Sequence, residues 1–492
     1  MRRSIVILAL ITIALGCGYA WYLPYGLTVN YPGSSGDPMP GDSLQTRIRL
    51  PPGFAITTYA SGIGDARFLR FTPKGDLLVT SPRQGKVILL ESSGVGATAN
   101  ARVLLADLNR PHGIDLHDGW LYIGEGDAIA RVRFAAETRQ VSGEAQRIAT
   151  LPSGGNHWTR TVVVGPDGYL YVSIGSTCNV CVEKDPRRAA IVRYQLDGSG
   201  EEIYATGLRN SVGFAWRPGT NDLFATDNGR DLLGDDFPPC ELNRIVQGGF
   251  YGWPYANGNR IPDPDHGKGE EARIAASIPP AHGFQAHTAP LGIAFYTGSM
   301  FPERYRGAAF VAEHGSWNRS TKSGYKVVAL ILGPEGDIRE EDFATGFEIA
   351  EKVSGRPVDV AVGPDGAIYV SDDFTGSVYR IAYGEGGAHK VPVAAPTAAV
   401  SGEPLAGMDA KQRRDAEGRG RALFDDSGCA ACHVQGRQSH GETYKPLEHL
   451  ARKYTVDSLA AFLAAPQPPM PLYPFDDPQR RDLAVYLLES KD

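Results

Sequence analysis

The strongest chemical motif of the sequence lies near its C-terminal end, where Cys429 and Cys432 are followed at once by His433. This CxxCH spacing is typical of c-type haem attachment, because two thiols one helical turn apart can form thioethers while the histidine ligates the iron. A thioredoxin-like thiol pair is the alternative, but the βαβ pattern that such a pair requires does not surround it. We therefore predict a covalently bound haem c.

The sixth iron ligand is expected downstream of the motif. Met470 lies about 37 residues after His433, in the proline-rich stretch PQPPMPLYP that precedes a helical segment. Methionine ligation raises the potential of a haem and favours accepting electrons. His440 and His449 are the alternative ligands. The segment 408–492 resembles a small all-α class I cytochrome c.

Polar side chains that could act on a substrate are found in loops of the preceding region. They are His157 in SGGNHWTR, Arg209 and Asn210 in GLRNSVGFAW, and Arg356 in SGRPVDVAV. A neutral histidine can accept a hydroxyl proton near pH 7, and a guanidinium can stabilise developing negative charge. Each residue taken alone also suits a surface position or a structural salt bridge.

An acid-rich loop with glycines follows residue 226. Its carboxylates belong to Asp227, Asp231, Asp235, Asp236 and Glu241. Oxygen ligands of this kind suit a hard cation such as Ca²⁺, and a solvated loop is the alternative.

The pair Cys178 and Cys181 also has CxxC spacing. No second CxxC and no histidine pair at zinc spacing accompanies it, so a local disulfide in an oxidising compartment is favoured over a zinc site. Cys240 has no evident partner and is expected to be a buried thiol.

A repeated unit predicts the elements that position these residues. A glycine turn precedes an alternating strand six times: LLVTS, WLYIGE, YLYVSIG, DLFATD, AAFVAE and AIYVSDD. The turn glycines are Gly75, Gly119, Gly168, Gly219, Gly307 and Gly366. Most intervals are near the ~40–50 residues of a four-stranded propeller blade. We predict an all-β six-bladed propeller over 45–385 with an insertion between Gly219 and Gly307; a pair of β-sandwiches is the alternative.

The N-terminus has the pattern of a membrane or secretory segment. Arg2 and Arg3 precede an apolar run from Ile5 to Leu23, about the length that spans a bilayer. By the positive-inside rule the rest of the chain is predicted to lie outside the cytoplasm. We predict a signal or anchor segment over 1–25, with a lipidated Cys17 as one form of anchor, and a periplasmic protein at the inner membrane.

The composition of the chain changes between the predicted propeller and the C-terminal domain. A Gly/Pro/Ala-rich stretch over 386–407 is predicted to link the propeller to the C-terminal domain.

The net charge of -7 excludes an ordinary nucleic-acid binder, which needs a basic surface.

Several strings in the body resemble one family. They are NHWTRTVVVGPDGYLYVSIGS, CNVC, EKDPRRA, ATGLRNSVGFAW, ELNRIVQGGFYGWP, HTAPLGIAFYTG, AEHGSWNRS and GRPVDVAVGPDG. The body is similar to the quinoproteins of the soluble glucose dehydrogenase and L-sorbosone dehydrogenase family. The resemblance implies a six-bladed propeller that uses pyrroloquinoline quinone (PQQ) and calcium.

The resemblance also implies roles for the loop residues. His157 would be the general base on a sugar hydroxyl, and Arg209, with Asn210 beside it, would hold the quinone carbonyl that receives the hydride. Arg356 would pair with a carboxylate of the cofactor.

Two positions depart from the glucose-type pattern. Gly229 and Arg230, whose backbone carbonyls would bind calcium, stand where that pattern has Gly-Pro. Its second cofactor-binding arginine is Val358 here. Arg319 or Lys326 could supply the missing positive charge.

Together these patterns predict a membrane-tethered quinoprotein dehydrogenase. It would oxidise a sugar or aldehyde, such as an aldose or a sorbosone-like compound, and pass electrons to its own haem. An external cytochrome or the respiratory quinone chain would then accept them. The alternatives are a calcium-dependent propeller lactonase and a non-catalytic propeller that docks a redox partner for the haem.

Overall fold

The computed structural model describes residues 30–384, apart from 34, 93, 95–98 and 334–335, and parts of 405–489. The described parts of that C-terminal stretch are 405, 408–427, 429, 433, 447, 450–452, 454–464 and 475–489. The chain divides into two compact units, Met1–His389 and Lys390–Asp492. The boundary between them falls inside the predicted linker.

The first unit consists mainly of short antiparallel strands. The first thirteen are β1 (Phe54–Ala60), β2 (Leu69–Phe71), β3 (Leu77–Ser81), β4 (Lys86–Glu91), β5 (Asn100–Leu105), β6 (Ile114–His117), β7 (Trp120–Glu125), β8 (Ala128–Ala135), β9 (Gln140–Thr150), β10 (Val162–Val164), β11 (Leu170–Ile174), β12 (Ala190–Tyr194) and β13 (Glu202–Thr206). The next sixteen are β14 (Phe214–Trp216), β15 (Leu223–Asp227), β16 (Pro239–Ile245), β17 (Gly249–Phe250), β18 (Ala256–Asn257), β19 (Ile261–Pro262), β20 (His282–Ala286), β21 (Pro290–Phe295), β22 (Ala309–Glu313), β23 (Lys326–Leu332), β24 (Ile338–Ala344), β25 (Glu348–Ile349), β26 (Lys352–Val353), β27 (Pro357–Val362), β28 (Ile368–Asp372) and β29 (Ser377–Tyr383). Two short helices, α1 (Gly41–Arg47) and α2 (Glu271–Ala276), accompany them.

These strands form six blades. Their hydrogen-bonded orders are β2-β3-β4-β5, β6-β7-β8-β9, β10-β11-β12-β13, β14-β15-β16-β20, β21-β22-β23-β24 and β27-β28-β29-β1. In every blade the second strand is one of the six repeated strands, and all five residues of β3, β11, β15, β22 and β28 are buried. The prediction of a six-bladed propeller is confirmed.

The ring is closed by its own first strand. β1 pairs antiparallel with β29, so that Phe54 lies opposite Tyr383 and Ile56 opposite Ile381. The outer strand of the last blade thus comes from the start of the propeller. This pairing replaces two open sheet edges by backbone hydrogen bonds.

Apolar side chains fill the spaces between neighbouring blades. Leu77 and Leu90 of the first blade, for example, share a buried cluster with Tyr369 and Val378 of the last blade. Each blade therefore buries both faces, which explains why the repeated strands are apolar throughout.

The fourth blade carries the predicted insertion. Between β16 and β20 the chain forms β17, the hairpin β18–β19 and α2, and β17 pairs parallel with β13 of the third blade. This excursion accounts for the longest interval between the turn glycines.

The second unit contains α3 (Ala410–Asp426), α4 (Val456–Ala464) and α5 (Asp477–Glu489). Asp409 begins α3 with a capping box: its side chain accepts hydrogen bonds from the backbone N–H groups of Lys411 and Gln412. α3 and α5 cross at Gly420, where a Cβ atom would lie 2.1 Å from the carbonyl oxygen of Asp482. Only glycine permits so close a crossing.

The haem-motif residues are described in part. Cys429 is buried in the apolar core of the second unit, and the backbone N–H of His433 donates to the carbonyl oxygen of Cys429 over 3.1 Å. This hydrogen bond closes one helical turn from Cys429 to His433, as the CxxCH motif requires. Cys432 and the predicted axial ligand Met470 lie outside the described residues.

Within the described ranges, no helix has the length and apolar character needed to cross a bilayer. The predicted anchor over 1–25, with Cys17, falls outside those ranges, as does nearly all of the predicted linker.

Candidate functional site

One end of the propeller holds a cavity of about 430 Å³. Its walls are loops that precede the innermost strands β2, β6, β10, β14 and β27 and loops that follow the repeated strands. The polar and aromatic lining groups include Tyr31, Arg67, Arg83, Arg110, His157, Trp158, Asn210, Asn228, His314, Trp317, Arg356 and Asp373. The volume lies within the ~300–1,000 Å³ of small-molecule and cofactor sites.

His157 stands in the loop before β10 and lines this cavity. Its Nδ1 lies 2.9 Å from the carbonyl oxygen of Ser176 and 2.9 Å from the Ser176 hydroxyl. A carbonyl oxygen only accepts hydrogen bonds, so Nδ1 carries the proton and Nε2 keeps a lone pair. Burial, and then the positive charge of Arg209, lower the pKa of His157 to about 3. The imidazole is therefore neutral at pH 7, the state that a proton acceptor needs.

Gly175 brings His157 and Asn210 together. A Cβ atom at Gly175 would lie 2.6 Å from the His157 Cβ and 2.6 Å from the Asn210 Oδ1. Asn210 lines the cavity beside His157, and its buried Oδ1 has no hydrogen-bond partner in the part of the chain that the structure describes. The structure thus places these two predicted residues side by side.

Arg209 is differently placed from the prediction. Its guanidinium donates to the Asn179 carbonyl oxygen and Oδ1, each over 2.9 Å, and pairs with Asp231 Oδ2 over 2.9 Å. It also donates to the carbonyl oxygen of Gly229 over 2.9 Å. These partners accept the hydrogen bonds that the guanidinium can donate, and they hold it outside the cavity lining. The predicted contact of Arg209 with a cofactor in the cavity is not available in this conformation.

The predicted calcium site is affected by the same side chain. The Gly229 carbonyl already accepts from the Arg209 guanidinium, and the Arg230 side chain pairs with Asp263 over 2.7 Å and with Asp265 over 2.9 Å. A fixed cationic group therefore lies where the ion was expected. These residues do not fit a calcium ion unless Arg209 moves.

The acid-rich loop is neutralised by arginines and backbone donors. Asp227 accepts the backbone N–H groups of Arg209 and Asn210, and Asp236 pairs with Arg319 over 3.0 Å. Among the described residues, the one group of three or more potential metal ligands is Cys178, Cys181 and Glu183. Its two cysteines form a disulfide, as predicted. Cys240 is a buried free thiol, also as predicted.

Arg356 lines the cavity as the sequence predicted. Its Nε donates to the His314 carbonyl oxygen and its Nη2 to the Gly315 carbonyl oxygen, each over 3.1 Å. Asp373, which also lines the cavity, accepts from Arg67 over 2.7 Å and pairs with His314 Nε2 over 2.8 Å. Burial alone would raise the pKa of Asp373, but His314, Arg67 and Arg356 hold it below its ordinary value. Asp373 is therefore ionised.

A further arginine is stacked on an aromatic ring. The guanidinium carbon of Arg110 lies 4.1 Å from the centroid of a Trp158 ring. The backbone of Arg110 has φ +51°, a left-handed conformation that a non-glycine residue adopts at a cost. Four arginines and two aspartates line the cavity, so its charge suits a polyanionic ligand.

The suggested sources of an additional positive charge are wrong for this cavity. Arg319 donates to the backbone carbonyl of Asp235 and pairs with Asp236, and Lys326 pairs with Asp342 over 2.6 Å. Neither side chain lines the cavity. Arg67 and Arg110 supply the charge instead.

Sequence reasoning therefore missed Arg67, Arg110, His314 and Asp373. A positional signal was available for two of them, because His314 comes directly after the repeated strand AAFVAE and Asp373 is the last residue of AIYVSDD. Arg67 and Arg110 precede innermost strands that are too short to show a pattern.

The model of the Glucose / Sorbosone dehydrogenase family matches residues 122–380, more than half of the chain. The chain belongs to this family. It is 33% identical to an uncharacterised protein of Borreliella burgdorferi, over 70% of this chain and 92% of that protein. It is 25% identical to the aldose sugar dehydrogenase YliI of Escherichia coli, over 52% of this chain and 68% of the relative.

A solved structure has the same fold. The holo form of the PQQ domain of pyranose dehydrogenase from Coprinopsis cinerea superposes with a TM-score of 0.61 at 22% identity. The match covers 70% of this chain and 98% of that domain.

The cavity fits the cofactor that the family implies. PQQ is a planar tricarboxylate, so it needs several fixed cations and an aromatic or apolar face. Arg67, Arg110 and Arg356 offer the cations, and Val212 and Leu291 contribute apolar lining. Asn210 Oδ1, which accepts no hydrogen bond from the described residues, and the lone pair of His157 Nε2 are polar atoms that a bound substrate could use.

Proposed function

We propose that this protein is a quinoprotein dehydrogenase that oxidises a sugar or aldehyde in the propeller cavity. The observation that carries the proposal is the presence of a neutral His157, protonated at Nδ1, in the same cavity as Arg67, Arg110 and Arg356. The sugar dehydrogenases among its relatives support the substrate class. Bound PQQ would supply the electron sink that accepts a hydride from the substrate carbon.

Residues of the chain accept the substrate proton and hold the cofactor. His157 Nε2 accepts the proton of the substrate hydroxyl, and Ser176 keeps Nδ1 protonated and the ring in place. Arg67, Arg110 and Arg356 would bind the carboxylates of the cofactor and orient it.

Aromatic side chains at the rim suit a sugar ring. Trp317 is 40% exposed and Tyr31 66% exposed, and both line the cavity. The backbone N–H of Asn30 donates to the Trp317 carbonyl oxygen over 2.8 Å, which holds the two aromatic residues near each other. Rings of this kind pack against the apolar faces of sugars.

The second unit is proposed to carry haem c on Cys429, Cys432 and His433, with Met470 as axial ligand. The close crossing of α3 and α5 at Gly420 and the helical turn at Cys429–His433 support a compact haem-binding helical domain. Electrons would pass one at a time to this haem and then to an external cytochrome or the respiratory chain.

The cellular setting is also a proposal. The Cys178–Cys181 disulfide suits an oxidising compartment such as the periplasm, and the N-terminal apolar segment suits an inner-membrane anchor. A calcium ion at Gly229 and Arg230 stays a prediction, because Arg209 must first leave the Gly229 carbonyl.

One assay separates the candidate functions. Haem-loaded protein is mixed with PQQ, with or without calcium, and a panel of sugars, aldehydes and lactones, while the visible haem spectrum is recorded. Substrate-dependent haem reduction that requires PQQ supports the dehydrogenase. Lactone hydrolysis without haem reduction supports the lactonase, and neither reaction supports a binding propeller.

A further inference from the structure

The Cys178–Cys181 disulfide closes a short loop next to His157 and Arg209. The proposed chemistry does not use this loop, yet it contacts both residues that the sequence singled out for catalysis. Ser176 lies just before it and contacts His157, and Asn179 lies inside it and contacts Arg209.

The His157 side of the loop is fixed through Ser176. The Ser176 hydroxyl donates to the carbonyl oxygen of Cys178 over 2.7 Å, so its lone pairs remain to accept from His157 Nδ1. The orientation of the imidazole is thereby linked to the backbone of the first cysteine.

The Arg209 side is fixed through Asn179. The backbone carbonyl of Asn179 accepts Nε of Arg209, and the side-chain Oδ1 accepts Nη2, which makes a bidentate contact. The Asn179 side chain also accepts the backbone N–H of Asp231 over 2.8 Å and donates to the Asp231 carbonyl oxygen over 3.0 Å. Asn179 thus holds the guanidinium and the start of the acid-rich loop together.

We propose that Asn179, presented by the Cys178–Cys181 disulfide, is a positioning residue that sets where Arg209 lies relative to His157. This inference rests on the proposed function. Asn179 itself does not line the cavity, and it acts through Arg209.

Opening the disulfide should release this contact. Reduction by an external phosphine or dithiol adds two electrons and two protons and leaves two thiols. The four-residue loop then regains conformational freedom, which weakens a contact that depends on one backbone carbonyl and one side chain together. Arg209 would shift, whereas the backbone carbonyl of Ser176, which lies outside the disulfide loop, would still accept from His157 Nδ1.

The pKa of His157 reports the position of Arg209. Burial and the charges of Arg209, Arg188 and Arg160 lower this pKa, while the hydrogen bond to Ser176 raises it. Arg188 and Arg160 are held by other carbonyl groups, at Gly175 and Pro152 for example, so they should stay in place. Movement of Arg209 away from the imidazole would raise the pKa of His157.

The test uses the full-length haem protein. Asn179→Ala, the double variant Cys178→Ser/Cys181→Ser and the phosphine-reduced wild type are compared with the wild type and with Asn221→Ala, an exposed asparagine elsewhere in the propeller. The measurements are the His157 pKa by NMR of labelled histidine, the Kd for PQQ, and kcat and KM separately.

We expect each of the three perturbations to raise the His157 pKa by about one unit or more. We expect kcat to fall by roughly 10- to 100-fold with KM changed less than about twofold, as for a misplaced catalytic group. Reductant should have no further effect on the double serine variant, and Asn221→Ala should match the wild type.

An unchanged His157 pKa and kcat, in protein whose two thiols are shown to be free, would overturn the proposal. If the double serine variant does not fold, the reduced wild type and Asn179→Ala still provide the test. Absence of sugar oxidation in the wild type counts against the proposed function, whereas the NMR measurement continues to test the role of Asn179.

Discussion

Arg67 and Asp373 form an ion pair with Nη1 and Oδ2 2.7 Å apart in the lining of the cavity. The two residues lie at opposite ends of the propeller sequence, just before β2 and just after β28, and ring closure brings them together. Both side chains are over nine-tenths buried, so each charge depends on the other.

Removal of Arg67 alone should therefore reduce both stability and cofactor binding. In Arg67→Met, Asp373 remains buried with His314 as its remaining close side-chain partner, and we expect a loss of about 3 kcal/mol in the free energy of unfolding. The Kd for PQQ should rise at least about tenfold, because a charge-assisted contact is lost. Denaturant unfolding and PQQ titration measure the two effects.

The double variant Arg67→Met/Asp373→Asn is the control for this prediction. It removes the uncompensated charge, so most of the stability should return while PQQ binding stays weak. Recovery of tight binding in the double variant would show that Arg67 does not contact the cofactor.

Loss of His157 should affect turnover more than cofactor binding. We expect His157→Ala to lower kcat by about 10²- to 10⁴-fold, the usual contribution of a general base, with PQQ still bound. His117→Ala, at a partly exposed histidine of β6, serves as the matched control and should keep full activity. Stopped-flow haem reduction checks the prediction, and a wild-type rate in His157→Ala would refute the base role.

The pH dependence follows from the low pKa of His157. This pKa is about 3 in the folded protein, below the ~6.5 of an unfolded histidine. Between these two values the unfolded chain binds more protons, so stability should fall as the pH decreases from about 6.5 towards 3. We expect His157→Gln to lose less stability than the wild type over this range in calorimetry.

Binding of PQQ should raise the pKa of His157, whereas burial lowers it. A bound polyanion favours the charged imidazole, so the pKa of His157 should rise when PQQ is added. NMR titration of labelled histidine, with and without PQQ, measures this shift. A pKa that does not change on PQQ binding would place the cofactor away from His157.

The two glycines of α3 provide a matched pair of substitutions. Gly420→Ala introduces a Cβ atom 2.1 Å from the Asp482 carbonyl oxygen and should destabilise the second unit by about 1–3 kcal/mol. Gly418 has no atom within 4 Å of its Cβ position, so Gly418→Ala should stabilise the helix by roughly 0.5–1 kcal/mol. Thermal unfolding of the full chain, followed at the second unit, distinguishes them. If both substitutions changed the stability of the second unit equally, the close crossing of α3 and α5 at Gly420 would be contradicted.

The haem prediction is tested on the motif itself. Cys429→Ala/Cys432→Ala should abolish the covalent haem that survives denaturing gel electrophoresis. Met470→Ala should keep the haem and lower its midpoint potential, because the thioether ligand is lost. Haem that stays attached in the cysteine variant would show that it is held elsewhere.

The local patterns of the sequence predicted the blades, the Cys178–Cys181 disulfide and the position of His157. Each is encoded within a few residues: an alternating strand after a turn, two cysteines separated by two residues, and a histidine directly before a strand of the third blade. Such features depend on backbone periodicity and short-range geometry, which can be read from one stretch of chain.

The partners of the site residues were decided by the tertiary structure. Arg67, Arg110, His314 and Asp373 come from four different blades, and they meet because β1 pairs with β29 and closes the ring. In the closed ring the Arg209 side chain contacts Asn179 and the Arg319 side chain contacts Asp236, so neither side chain lines the cavity. A charged side chain takes the buried partner that best compensates its desolvation, and that partner is fixed by packing across the whole ring.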